Sequence, residues 1–156
     1  MDLVKITIPP GFDGPQKANP APCANTEVYL RRIPNKNRGT LLQITSYEMG
    51  TRLANVPEEE LGNRAEHQLM EFLAAIERTR TSFSASTPTR ILLGGLPAAC
   101  VEWTGDADNR QMSGVMYCAI VGSVAVTLHT QGYSDSPERD RAEAILAIET
   151  VVFAGR

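Results

Sequence analysis

The chain has 156 residues, 42% hydrophobic and 21% charged, a composition that suits an ordinary globular domain. At this length about 68–70% of the unfolded surface is buried on folding, without help from a metal or a disulfide. Fifteen Lys and Arg against 18 Asp and Glu leave a net charge of −3, which argues against a nucleic-acid partner, whose phosphates call for clustered cations. No apolar run approaches the ~20 residues of a membrane helix, so membrane insertion is not expected either.

The N-terminus enters an alternating strand at once, Leu3 to Ile8, with no basic n-region, apolar stretch or small-residue cleavage site before it. As written, the sequence reads as cytoplasmic; an upstream signal, if removed, would make it an envelope or periplasmic protein. Pro9 to Asn25 is rich in Pro and Gly and reads as a surface loop. Glu27 to Ile33 and Gly39 to Met49 read as two strands of an antiparallel hairpin across the turn residues Pro34 to Arg38. Leu61, Ala65, Leu69, Phe72, Leu73 and Ile76 then recur at helical spacing and predict a long helix over 57–80. Asn55 is its expected N-cap, with Pro57 and Glu58-Glu59-Glu60 suited to a first turn.

Arg90 to Leu93 and Ala98 to Trp103 flank Gly94-Gly95-Leu96-Pro97, giving one bent strand or two short ones. Gly105 to Asn109 reads as a turn. Gln111 to Val121 and Val124 to Gln131 follow as a hairpin across Gly122-Ser123, where Gly supplies the positive φ of a two-residue reversal. A closing helix over 137–153 is expected, capped by Ser136, with Pro137 first and Ala142, Ile145, Leu146 and Ile148 forming a partial apolar stripe.

The last hairpin fixes a register. If Val121 meets Val124, then Ala119, Tyr117 and Val115 meet Val126, Leu128 and Thr130 on one nearly apolar face, which is expected to pack on the long helix. The other face carries Met112, Met116, Cys118, Ile120, Thr127 and His129, joined by Cys100 and Glu102 if Val101 and Trp103 point into the core. This semi-apolar surface needs a cover. Either the closing helix supplies it, or part of the face stays open and receives an apolar partner segment, a role that flexible, polarisable Met side chains suit.

Several groups carry chemistry worth weighing. Cys118 and His129 would be diagonal neighbours about 7–8 Å apart, with Glu102 on the adjacent strand, the residue types of nucleophilic catalysis. Mid-strand positions, however, offer no N–H nest for an oxyanion, and a buried thiol beside a hydrogen-bonded histidine is the plainer reading. His67 and Glu71 stand one helical turn apart but provide only two ligands, so a solvated helix surface is expected and no metal. Arg31, Arg32, Lys36 and Arg38 form a basic hairpin tip, and Trp103 reads as a core residue. Cys23, Cys100 and Cys118 include no CxxC pair or Cys/His cluster; a Cys100–Cys118 disulfide is geometrically conceivable across strands but out of place in a cytoplasmic chain. No nucleotide or hydrolase motif occurs, so no cofactor is expected.

The order of elements and several local motifs resemble the PsbP-like (Mog/PsbP) α/β/α sandwich superfamily. They are Ile8-Pro9-Pro10-Gly11-Phe12 at the end of the first strand, the helix 57–80, the run Ile91 to Ala99, the hairpin 111–131 and the closing helix 137–153. The chain is most similar to DcrB-like and mycobacterial lipoprotein-like bacterial members, although the sequence as written shows neither a signal nor a lipobox cysteine. The resemblance implies a non-enzymatic module. Signal-less DcrB-like relatives include cytoplasmic chaperones that shield apolar segments of secreted effectors, usually as dimers.

The expectation is therefore a single domain over 1–156, a three-layer α/β/α sandwich with a mainly antiparallel sheet of about six strands. Its function is expected to be that of a binding or adaptor module, possible as a homodimer, for a protein or apolar peptide. The candidate surface is Met112, Met116, Cys118, Ile120, Thr127 and His129. The alternatives are a solute-binding or scaffold domain of an envelope lipoprotein, and a cysteine-dependent enzyme.

Overall fold

The computed structural model describes residues 3–19 and 22–154. Its framework is an antiparallel sheet in which strand pairing follows local turn chemistry. β3 (Ala24–Arg32) and β4 (Gly39–Glu48) form the expected hairpin. β8 (Arg110–Val121) and β9 (Val124–Tyr133) reverse at Gly122, φ +63°, with Val121 opposite Val124, Tyr117 opposite Leu128 and Met116 opposite His129, the register expected from the sequence. β6 (Thr89–Leu93) and β7 (Leu96–Ala107) are two strands rather than one bent strand, because Gly94 and Gly95 both take positive φ and close a tight reversal.

Other expectations are corrected. β1 is only Val4–Lys5 and pairs with β10 (Val152–Phe153) in a separate two-stranded ribbon. The segment read as a loop after it contains β2 (Asp13–Ala18), a fully exposed edge strand; an edge tolerates Pro15, whose missing N–H would break an interior ladder. β5 (Thr81–Ala85) lies in a Ser/Thr stretch given no strand, and pairs with β7 along the edge it shares with β6. Gly105 to Ala107 belong to β7, and the reversal is Asp108-Asn109, both left-handed.

Among the described residues the main sheet therefore has eight strands rather than about six, in the order β2-β3-β4-β9-β8-β7-β5, with β6 also on β7. The long helix, α1, spans Leu61–Glu77 after a 3₁₀ turn at Glu58–Glu60. Asn55 does not cap it: the residue is left-handed (φ +59°), and extended Pro57 opens the 3₁₀ turn with no side-chain cap. The closing helix, α2, spans Glu138–Glu149; Pro137, not Ser136, takes the cap position.

The helices cover opposite faces, and the faces are exchanged relative to the sequence expectation. α1 buries Ala65, Leu69 and Leu73 against Ala99, Val101, Trp103, Met112, Met116, Cys118 and Ile120. α2 buries Ala144, Ala147 and Ile148 against Val115, Tyr117, Ala119, Val126 and Leu128, joined by Phe12, Phe153 and the N-terminal Leu3 to Ile8. Alternation sorts side chains between two faces but, in a strand apolar on both, does not say which helix takes which.

Candidate functional site

The six residues proposed for an open surface share one face, as the register requires, but the face is covered. Met112, Met116, Cys118, Ile120, Thr127 and His129 are all buried, none more than 6% exposed, and α1 rather than the closing helix lies across this side of the sheet. Their mixed chemistry is accommodated by pairing rather than by solvent. Trp103 Nε1–H donates to His129 Nε2 at 3.0 Å, and the rings sit 5.9 Å apart. Because Nε2 accepts, the histidine proton belongs on Nδ1. Burial, aided by the nearby Arg80 guanidinium, pushes the His129 pKa down to about 3, so the ring is neutral at physiological pH.

The indole is fixed from below by an absent side chain. Gly114 stands opposite Trp103, and a Cβ there would fall 2.5 Å from Trp103 Nε1. Phe83 stacks on the same ring, and the Arg80 guanidinium lies 5.5 Å from its centroid while donating to Gln131 Oε1 at 3.1 Å. These contacts give an immobilised donor–acceptor pair beneath a helix.

The nucleophilic constellation does not assemble. Cys118 lies opposite Thr127 and diagonal to His129 as the register demands, but burial raises its thiol pKa to about 12. Glu102 is opposite Val115, in the alternation of the α2 face, and is exposed. Cys100 likewise packs at the margin of the α2 core, with its thiol pushed up to about 11 by burial. Val101 and Trp103 do point into a core, but it is the α1 core, the side that Met116 and Cys118 share; the expected addition of Cys100 and Glu102 to that face is therefore wrong by one position. All three cysteines are free.

His67 and Glu71 form an exposed pair at 3.3 Å on α1. Among the described residues no group of three or more His, Cys, Asp or Glu side chains could hold a metal ion. The basic hairpin tip is largely engaged within the chain. Arg31 donates to Asp140 Oδ1 at 2.9 Å, lies 2.5 Å from Glu143 Oε2, donates to the Pro10 carbonyl and stacks over Phe12, tying β3 to the start of α2. Lys36 and Arg38 both meet Asp135, which holds that carboxyl below the usual range, chiefly through the Arg38 hydrogen bond.

An accessible concavity lies elsewhere, at a place the sequence reading does not single out. It is a cleft of roughly 630 Å³ on the α2 side of the sheet, over β3 and β4. Leu3 to Ile6 form one wall, Ile44 and Val124 supply apolar surface, Asn25, Glu27, Tyr29, Ser46 and Glu48 supply polar groups, and the free thiol of Cys23 also lines it. The Tyr29 hydroxyl donates to Glu27 Oε2 at 3.1 Å. Glu48 accepts from the Ser123 hydroxyl at 2.6 Å and from the Gly50 N–H at 2.9 Å, which hold its carboxyl below the ordinary range. The sequence signal was the polar alternate pairs Asn25 and Glu27 on β3 and Ser46 and Glu48 on β4.

Comparison with known structures follows this architecture. The chain matches LpqN, a protein involved in cell envelope biogenesis of Mycobacterium tuberculosis, over 96% of its own length and 82% of that chain, at 11% identity and a TM-score of 0.61. It matches cyanobacterial PsbP (CyanoP) of Synechocystis sp. PCC 6803 over 97% of its length and 86% of that chain, at 8% identity and a TM-score of 0.64. The chain has a PsbP-like fold. A protein of unknown function from Pseudomonas aeruginosa, PA94, described as a putative regulator, is similar at 10% identity, 92% and 86% coverage and a TM-score of 0.52. No family model matches the sequence, and no curated protein sequence matches it. Bacterial proteins are thus among those that share the fold, and no helix among the described residues is long and apolar enough to cross a membrane.

Proposed function

We propose that the chain is a non-catalytic binding module whose recognition surface lies on the β2–β4 half of the sheet, of which β2 and β3 are spanned by neither helix. One observation carries this reading: the thiol and imidazole that the strand register brings together, Cys118 and His129, are dry and inactivated beneath α1, whereas the open cleft on β3 and β4 presents hydrogen-bonding and apolar groups and, among the described residues, contains no histidine. Shielding of apolar segments of a secreted effector is the finer form of this reading. It would use the β2–β4 half, since docking on Met116 and His129 would require α1 to leave its core.

The test is capture by immobilised protein from a lysate of its own host, comparing wild type with Glu27→Arg and Ser46→Arg in the cleft and Leu146→Arg on the exposed side of α2. The cleft variants should lose the partner retained by wild type at an unchanged Tm, and Leu146→Arg should keep it. Undiminished capture by both cleft variants defeats the reading. A place at the cell envelope is a second reading, supported by the likeness to LpqN; fractionation of cells expressing the full-length gene product tests it, and a purely cytosolic signal rejects it.

A further inference from the structure

We propose that the cleft beside β1 takes an extended peptide, which adds to the free edge of β1 as a further strand and sets a cationic side chain against Glu27. This rests on the binding reading above and names the class of partner. Among the described residues, β1 has β10 as its only strand partner. The Ala154 N–H donates to the Leu3 carbonyl at 2.8 Å. Backbone groups in an antiparallel pair alternate in direction, so Leu3 and Lys5 turn theirs toward β10 while Val4 and Ile6 turn theirs to the opposite edge. Those two residues also line the cleft. An unpaired strand edge along a cleft supplies main-chain affinity, and the surface beneath it supplies side-chain selection.

The surface beneath suits a segment of period two. Ile44 and Val124 receive alternate apolar side chains, with Asn25 and Ser46 beside them. Of the two carboxylates, Glu48 is already engaged by Ser123 and Gly50. Glu27 accepts only the Tyr29 hydroxyl, and no ion pair to it occurs among the described residues. Lys5 lines the cleft and is exposed, without an ion pair to either carboxylate. An incoming cation therefore has Glu27 as its available counter-charge.

The probe is a fluorescein-labelled peptide, acetyl-Lys-Val-Lys-Val-Lys-Val-Lys-amide, titrated against the full chain by fluorescence polarisation. Controls are the same peptide with Glu for Lys and one N-methylated at each Val. The Lys peptide should bind saturably, weaken at least about tenfold on N-methylation and on Glu27→Lys, and protect the Val4 and Ile6 amides from hydrogen exchange. A melting curve of Glu27→Lys checks that its fold is kept; if it is not, the N-methylated peptide and the exchange pattern decide alone. Absence of binding, binding indifferent to N-methylation, or protection elsewhere overturns strand addition. The broader binding reading falls on a different result, the capture experiment with the cleft variants.

Discussion

Along the middle of β8 and β9 both faces are dry: Met116 and Cys118, with Trp103 of β7, lie under α1, and Tyr117, Ala119 and Leu128 under α2 and the N-terminal segment. In the β2–β4 half neither helix spans β3, and Glu27, Val28, Tyr29, Leu30 and Gln43 remain partly exposed. The difference separates stability from recognition. Burial in the first region is worth roughly 1.5–3 kcal/mol per large side chain and immobilises what it covers. The second region retains accessible backbone edges and polar side chains, which binding requires.

Substitutions can break this contrast. The largest effect is expected for Leu69→Ala, which opens a cavity between α1 and the sheet and should cost about 2–5 kcal/mol by urea denaturation. Val28→Ala in the other half should cost under about 1 kcal/mol; equal losses would erase the distinction. Gly114→Ala comes next, at about 1–3 kcal/mol, because its Cβ drives into the Trp103 indole.

The effect of acid is smaller per step. His129 binds its proton near pH 6.5 when unfolded and only near pH 3 when folded. Between those values the unfolded chain holds more protons, so stability falls as pH drops, by up to about 1.4 kcal/mol per pH unit. His129→Gln should flatten the slope measured between pH 6.5 and 4.5, while an unaltered slope would assign it to other groups. Smallest of all, Glu27→Arg should shift stability by no more than about 0.5 kcal/mol, sharpening the claim that the cleft is dispensable for folding.

Much of the architecture was legible in the sequence where a local rule had one solution. The Gly122 reversal fixed the pairing of Met116 with His129, and the period of Leu61 to Ile76 placed α1. What was missed depended on choices that local rules leave open. Both faces of β8 are apolar enough to be buried, so period two did not assign α1 to the Cys118 side. Trp103 was placed in the core without the β7–β8 register, and hence Glu102 was put on the wrong face. β2 and β5 are edge strands of polar and small residues, whose pairing is stabilised by a neighbour rather than by their own pattern. The cleft combines Leu3 to Ile6 with Asn25 to Tyr29 and Ile44 to Glu48, a juxtaposition created only when β1 joins β10 at the far end of the chain.

The central claim, that α1 seals the Cys118–His129 face while the β3–β4 side stays accessible, is tested most directly by native-state alkylation with iodoacetamide at neutral pH, resolved by peptide mass spectrometry. Exposed Cys23 should be modified readily and Cys118 left unmodified until the chain is unfolded. Modification of Cys118 in the folded protein at a rate close to that of Cys23 would contradict the account.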